Sequence, residues 1–202
     1  SDFFEMLASQ ENFETELSED SSELTSADGL QEGASFPKEI SILPLRGIVA
    51  YPQTIIPLTI GQPRSIALVD EAVAGERLIG LVTSKNPELE TPGPSDLYQT
   101  GTLASIHRLF RAPDGTIRLL VQGISRFKLV EFTKQEPYLV ARIEAAPETV
   151  ETGLELEALT RNVRDQFEHI ADMIPSMPRE LVASVTAIQN PLQTAYTIAN
   201  LQ

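Results

Sequence analysis

The sequence predicts an α+β protein: a mostly antiparallel β-barrel or closed sandwich of about six strands with one inserted helix, followed by a helical segment. Three observations carry that prediction. From Ile40 to Ala145, short β-prone runs alternate with turns rich in proline and glycine. One stretch after Pro63 switches to helical spacing. Near Pro147 the apolar period changes to three or four and stays there.

The first strands are "EISILPLR" and "TIIPLTI", each interrupted by a proline. Proline removes a ladder donor, so such runs belong at sheet edges, strand starts or bends. "GIVAYPQ" between them reads as a bend, because Pro52 fixes its own φ and pushes Tyr51 towards an extended conformation. Pro63 suits a first helical turn, Ile66, Val69 and Val73 share one face, and Gly75 is placed to stop the helix. "RLIGLVTS" follows as a buried strand, then the loop "KNPELETPGPSD", long enough to be functional. "GTLASIHRLF" and "GTIRLLVQGISRFKLVEF" flank "APDG", a turn in which proline presets φ and glycine accepts a positive one. "PYLVARIEA" closes the set.

In "LELEALTRNVRDQFEHIADMI" the residues Leu156, Leu159, Val163, Phe167, Ile170 and Ile174 form one face of an amphipathic helix ended by Pro175. A second helix aligns Leu181, Val185 and Ile188, with Ser176 as its expected N-cap. Asn190-Pro191 then reads as N-cap and first turn of a third helix through Leu192, Ala195, Tyr196 and Ala199. That helix reaches Gln202 with no stop signal, and so short a helix is marginal in water without packing. The chain is therefore expected to be part of a longer protein.

Charge divides the chain as sharply as periodicity does. Of the net −14, residues 1–36 carry 10 acidic and no basic residues, residues 37–150 carry 12 of each, and residues 151–202 carry 7 acidic and 3 basic. The expected organisation is a disordered acidic leader (1–36), a barrel-like subdomain (37–148) and a helical subdomain (151–202). Phe3, Phe4, Leu7 and Phe13 would be the anchors if the leader were a binding arm rather than a solvating segment. The acidity and the neutral barrel disfavour nucleic acid, which requires clustered positive charge. No apolar run approaches the roughly 20 residues a membrane helix needs, and the acidic start lacks the basic region of a signal peptide. With 42% apolar residues the chain can build a core; with no cysteine it has neither disulfides nor thiolate metal sites, which suits a reducing cytoplasm.

Catalytic constellations are not apparent. His107 and His169 lie 62 positions apart, on a strand and on the polar side of a helix. Neither a Gly-Lys phosphate loop nor a GxGxxG occurs. Ser84-Lys85 reads as loop, and Glu88, Glu90 and Asp96 as a solvated acidic loop rather than a metal site. What remains is surface. The proline-stiffened segment holding Tyr51, Pro52, Ile55, Ile56 and Pro57, together with Leu97 and Tyr98, is the candidate for binding unfolded polypeptide. Such a surface loses little entropy on binding because proline has already restricted it. For each of these residues the competing assignment is core packing.

The same residues carry a family resemblance. "LPLRGIVAYPQTIIPLTIGQPRSIALVDEAV" resembles the opening of the amino-terminal domain of the Lon family, the ATP-dependent protease La, at Leu43 to Arg46, Tyr51-Pro52, Ile56 to Leu58, and Gly61 with Ser65. "DLYQTGTLASI", "PDGTIRLLVQGISRFKL", "PYLVARIE" and "IQNPLQTAYTIAN" match in order, so the similarity spans about residues 40–202. The resemblance implies a PUA-like barrel followed by the start of a helical bundle. It also implies a non-catalytic substrate-recognition and assembly domain of a cytoplasmic, homohexameric serine endopeptidase that degrades misfolded, damaged and regulatory proteins. ATP and Mg2+ would serve ATPase and serine–lysine protease modules outside this chain, which itself would need no cofactor or metal and be monomer or dimer. The alternatives are a stand-alone module for a small ligand or protein, and RNA binding by analogy with PUA folds, which the neutral barrel opposes.

Overall fold

The computed structural model describes residues 36–150 and 153–201; the expected leader and its candidate anchors lie outside the described residues, except for Phe36. The strands are β1 (Glu39–Leu45), β2 (Ile55–Ile60), β3 (Leu78–Thr83), β4 (Thr100–Arg111), β5 (Ile117–Lys134) and β6 (Leu139–Ala145), with α1 (Pro63–Ala74) between β2 and β3. Three helices follow: α2 (Leu154–Asp172), α3 (Arg179–Ala187) and α4 (Pro191–Asn200).

The six strands run in the order β2-β5-β4-β3-β1-β6, and a further β5–β6 pairing closes five of them into a ring with β2 outside it. Only β1 and β3 pair in parallel. The long β5 serves both ends: Ile117–Gln122 pairs with β2, and Phe127–Lys134 pairs with β6. The prolines fall where a lost donor costs least. Pro57 lies on β2, which pairs only with β5. Pro44 pairs with β3 beyond Ile42, where the β6 ladder has already ended.

Burial follows the period of two, with Ile56, Leu58 and Ile60 inward on β2 and Ile55, Pro57 and Thr59 outward. One cluster gathers Leu43, Ile56, Leu68, Val69, Ile79 and Ile117 beneath α1. A second holds Ile42, Val82, Leu103, Phe127 and Leu139, with Phe36 packed against it. Gly115 takes φ +84° in the β4–β5 turn, as the Pro-Asp-Gly run requires.

The helical part is more loosely covered. On α2 only Phe167 and Ala171 are buried, while Leu159 and Ile170 remain 56% and 51% exposed, so the expected apolar face meets α3 and α4 along one edge only. Asn190 caps α4 as expected, its Oδ1 accepting from the Leu192 and Gln193 amides at 2.9 and 3.2 Å. The second cap differs from expectation. Ser176 lies in a turn, and α3 begins at Arg179 after an extended Pro178 that supplies no side-chain acceptor. Pro178 disfavours helical backbone at Met177, which moves the start past the serine. Ile188 likewise stands just beyond α3 in an extended conformation. Among the described residues, no helix is long and apolar enough to cross a membrane.

Candidate functional site

The bend between β1 and β2 is hung from the barrel by hydroxyl groups. Thr83 Oγ1 donates to the Ile48 carbonyl (2.9 Å) and Thr102 Oγ1 to Ala50 (2.7 Å), while within the bend Thr54 Oγ1 donates back to the Tyr51 carbonyl (2.7 Å). The Gln53 amide donates to the Gly123 carbonyl (2.8 Å), and the Gly123 amide to Thr54 (2.9 Å). Gly123 has to be glycine: a Cβ there would run into the Tyr51 carbonyl. These contacts hold the Tyr51–Pro52 peptide at one wall of a half-open cleft.

The loop after β3 forms the opposite rim. Its end is fastened by a single 3-10 turn at Pro94–Asp96, and the Tyr98 amide donates to the Thr83 carbonyl at 3.1 Å. Alternation then sends Leu97 into the core at 2% exposed and leaves Tyr98 at the rim, 53% exposed. The third aromatic comes from α4: the Tyr196 ring stacks on Tyr51 with centroids 5.3 Å apart and planes at 26°. Tyr51, Tyr98 and Tyr196 line a volume of about 640 Å3, floored by Leu81, Gly101 and Thr102, with Val49 at its edge. Gly101 has to be glycine for a core reason: a Cβ would meet Phe127, the Leu81 carbonyl and Val82 inside the barrel.

Lys85 and Arg126 also line the cleft, and none of its lining residues is a carboxylate. Arg126 pairs with Glu148, which holds the guanidinium above its ordinary range. The Tyr196 hydroxyl is shut off from water beside this pair without a well-aligned partner of its own. Burial first, and the Glu148 carboxylate next, push its phenol up to about 12. Lys85 Nζ donates to the Ser95 carbonyl at 2.9 Å.

The seven candidates from the sequence therefore separate. Tyr51, Pro52 and Tyr98 converge on this cleft. Pro57 lines a second groove of about 520 Å3 between β1, β2 and the start of α1. Ile55 is 54% exposed on β2 but lines neither. Ile56 and Leu97 are core residues, 6% and 2% exposed, because the pleat sends every second side chain inward. Tyr196, Arg126 and Lys85 were not among the candidates. Tyr196 stands 145 positions from Tyr51, and no local pattern announces such a pairing.

The remaining polar candidates are engaged locally or exposed. Ser84 Oγ donates to the Asn86 carbonyl (2.8 Å), and His107 and His169 are exposed. Among the described residues, no group of three or more His, Asp or Glu is placed to hold a metal. The arrangement is an aromatic-walled slot lined by two cations.

A β-ring with an appended strand, an inserted helix and a three-helix extension makes this a domain of the α+β class. Residues 39–202 match the family described as the ATP-dependent protease La (LON) substrate-binding domain, and the chain belongs to that family. It is 42% identical over 170 residues to a Lon protease of Dictyoglomus thermophilum, covering 84% of this chain and 21% of that protein. It is 43% identical over 176 residues to Lon protease 1 of Herpetosiphon aurantiacus, covering 85% and 22%. The chain thus spans about a fifth of the length of these relatives. The fold is similar to the N-terminal domain of the Mycobacterium avium complex Lon protease (TM-score 0.64, 21% identity, 80% of this chain and 82% of that one). It is also similar to a Lon N-terminal domain protein from Xanthomonas campestris (TM-score 0.51, 17% identity, 79% and 96%).

Proposed function

We propose that this domain captures unfolded or damaged polypeptide for a Lon-type ATP-dependent serine protease, and that the Tyr51–Tyr98–Tyr196 cleft is where the captured chain docks. One observation carries the reading: three tyrosines from three distant segments meet around one open slot in a member of a family described as substrate-binding. ATP hydrolysis with Mg2+ and peptide cleavage belong to other parts of the parent, a cytoplasmic hexamer in this reading. The described residues supply binding alone.

Magnitudes favour a weak, repeated contact. Burying an aromatic side chain removes roughly 150 Å2 or more from water, about 4 kcal/mol at 25 cal/mol per Å2. Ordering each immobilised side chain costs about 1 kcal/mol, and association itself costs more. A single anchor therefore binds no more tightly than about millimolar, and retention of a long chain depends on several anchors or several copies of the domain acting together.

The test is titration of a permanently unfolded protein onto the chain and onto Tyr51→Ser and Tyr98→Ser variants, with thermal melts to establish that each is folded. The expected result is saturable binding that drops severalfold in both variants. Binding that persists unchanged in folded variants, or no binding by the unaltered chain, overturns the assignment.

A further inference from the structure

We propose that the cleft selects a particular kind of segment: an extended stretch of polypeptide in which an aromatic side chain stands next to an aspartate or glutamate. This rests on the docking reading above and narrows it. The slot has a chemical bias its apolar walls do not require. Its ionisable lining groups other than tyrosine are Lys85 and Arg126, both cationic. Residues 37–150 as a whole hold 12 acidic and 12 basic residues, so an acid-free, doubly cationic lining is a local departure from a balanced surface.

The two cations differ in how much of their charge is spoken for. Glu148 is Arg126's partner and lies beside Tyr196, outside the lining set. Among the described residues Lys85 has no carboxylate within ion-pair distance, and its ammonium donates only to the Ser95 carbonyl. An ammonium has three donors, so two remain for an incoming oxygen. A carboxylate on the residue beside a ring seated between Tyr51 and Tyr98 meets the unpaired Lys85 ammonium, while Arg126 is already neutralised by Glu148 behind Tyr196. An amide in the same place gains no such attraction, and a lysine there is repelled.

The experiment uses the 202-residue chain and four fluorescent peptides with blocked termini. They are identical except for the central pair, which is Phe-Asp, Phe-Asn, Phe-Lys or Ser-Asp. The expected order is Phe-Asp tightest, Phe-Asn about fivefold weaker at low salt, Phe-Lys weaker still, and Ser-Asp weakest. Raising the salt to about 0.5 M should bring Phe-Asp close to Phe-Asn. Lys85→Gln should bring the ratio of Phe-Asp to Phe-Asn affinity close to one, and Lys85→Arg should restore it; Lys85 is exposed, so both variants should fold. Equal affinity of Phe-Asp and Phe-Asn, or a preference unaltered by Lys85→Gln, overturns the charge selection and leaves docking intact. Failure of every Phe peptide to bind overturns the docking reading itself.

Discussion

Thr102 is 3% exposed, and its hydroxyl donates to the Ala50 carbonyl across 52 positions of sequence, tying the bend that presents Tyr51 to the barrel floor. Thr102→Val keeps the shape and deletes the donor, leaving a buried carbonyl without its partner, a loss of about 1–3 kcal/mol. Urea unfolding should show that loss, Thr102→Ser should largely restore it, and a valine variant as stable as the parent would show that the bend does not hang from this bond. The buried phenols make a second prediction at this scale. The hydrogen bond to Glu71, then burial, push Tyr138 up to about 12, and burial, then Glu148, does the same for Tyr196. The unfolded chain releases such protons near pH 10. Between pH 10 and 12 the folded state therefore holds the extra protons, and stability must fall as pH rises through that window; below pH 10 the contribution is complete. Tyr138→Phe and Tyr196→Phe should each flatten the alkaline fall in melting temperature and remove late-appearing tyrosinate absorbance at 295 nm.

Elements behave according to how much of their character is local. Asn190 satisfies two free amides of α4 by itself, so Asn190→Ala should cost about 1 kcal/mol and speed amide exchange in α4 while leaving β4 and β5 protected. Exchange that rises equally in the barrel would mean that helices and strands open as one unit. The same distinction explains what could be read in advance. The strands, α1 and the Pro-Asp-Gly turn were legible because alternation, helical spacing and glycine or proline backbone limits act within a few residues. The Asn190 cap was legible for that reason, whereas Ser176 misled because Pro178, two positions on, overrides a good capping side chain. On β2 the pleat itself ruled that Ile55 and Ile56 could not both face outward, but which one did depended on the pairing with β5. Part of the candidate cleft's lining was legible, as a stiff aromatic bend at Tyr51–Pro52 and as Tyr98 after the proline-rich loop. The rest was not, because Tyr196, Arg126 and Lys85 reach it through tertiary pairing, which leaves no mark on spacing.

At the scale of the whole described structure, the cleft joins barrel to helices. Two of its tyrosines come from the barrel's loops and the third from α4, and the Tyr51–Tyr196 stack spans the boundary. Below Tyr196, Arg126 on β5 and Glu148 after β6 form a charged step against which the phenol is buried. If a ligand displaces this ring, occupancy and helix position are linked, and each biases the other by the same free energy. Tyr196→Ala removes the wall and the linkage together, whereas Tyr196→Phe keeps the stacking ring and relieves a buried hydroxyl of its missing partner. The alanine variant should bind an unfolded chain severalfold more weakly and show faster amide exchange through α4, with β3 to β5 unaltered. The phenylalanine variant should bind as the parent does. In the parent, saturating peptide should slow exchange in α4 although every other residue of the slot belongs to the barrel or its loops. Protection confined to the barrel side, with α4 indifferent to ligand and to the loss of Tyr196, would reduce the stack to an incidental contact.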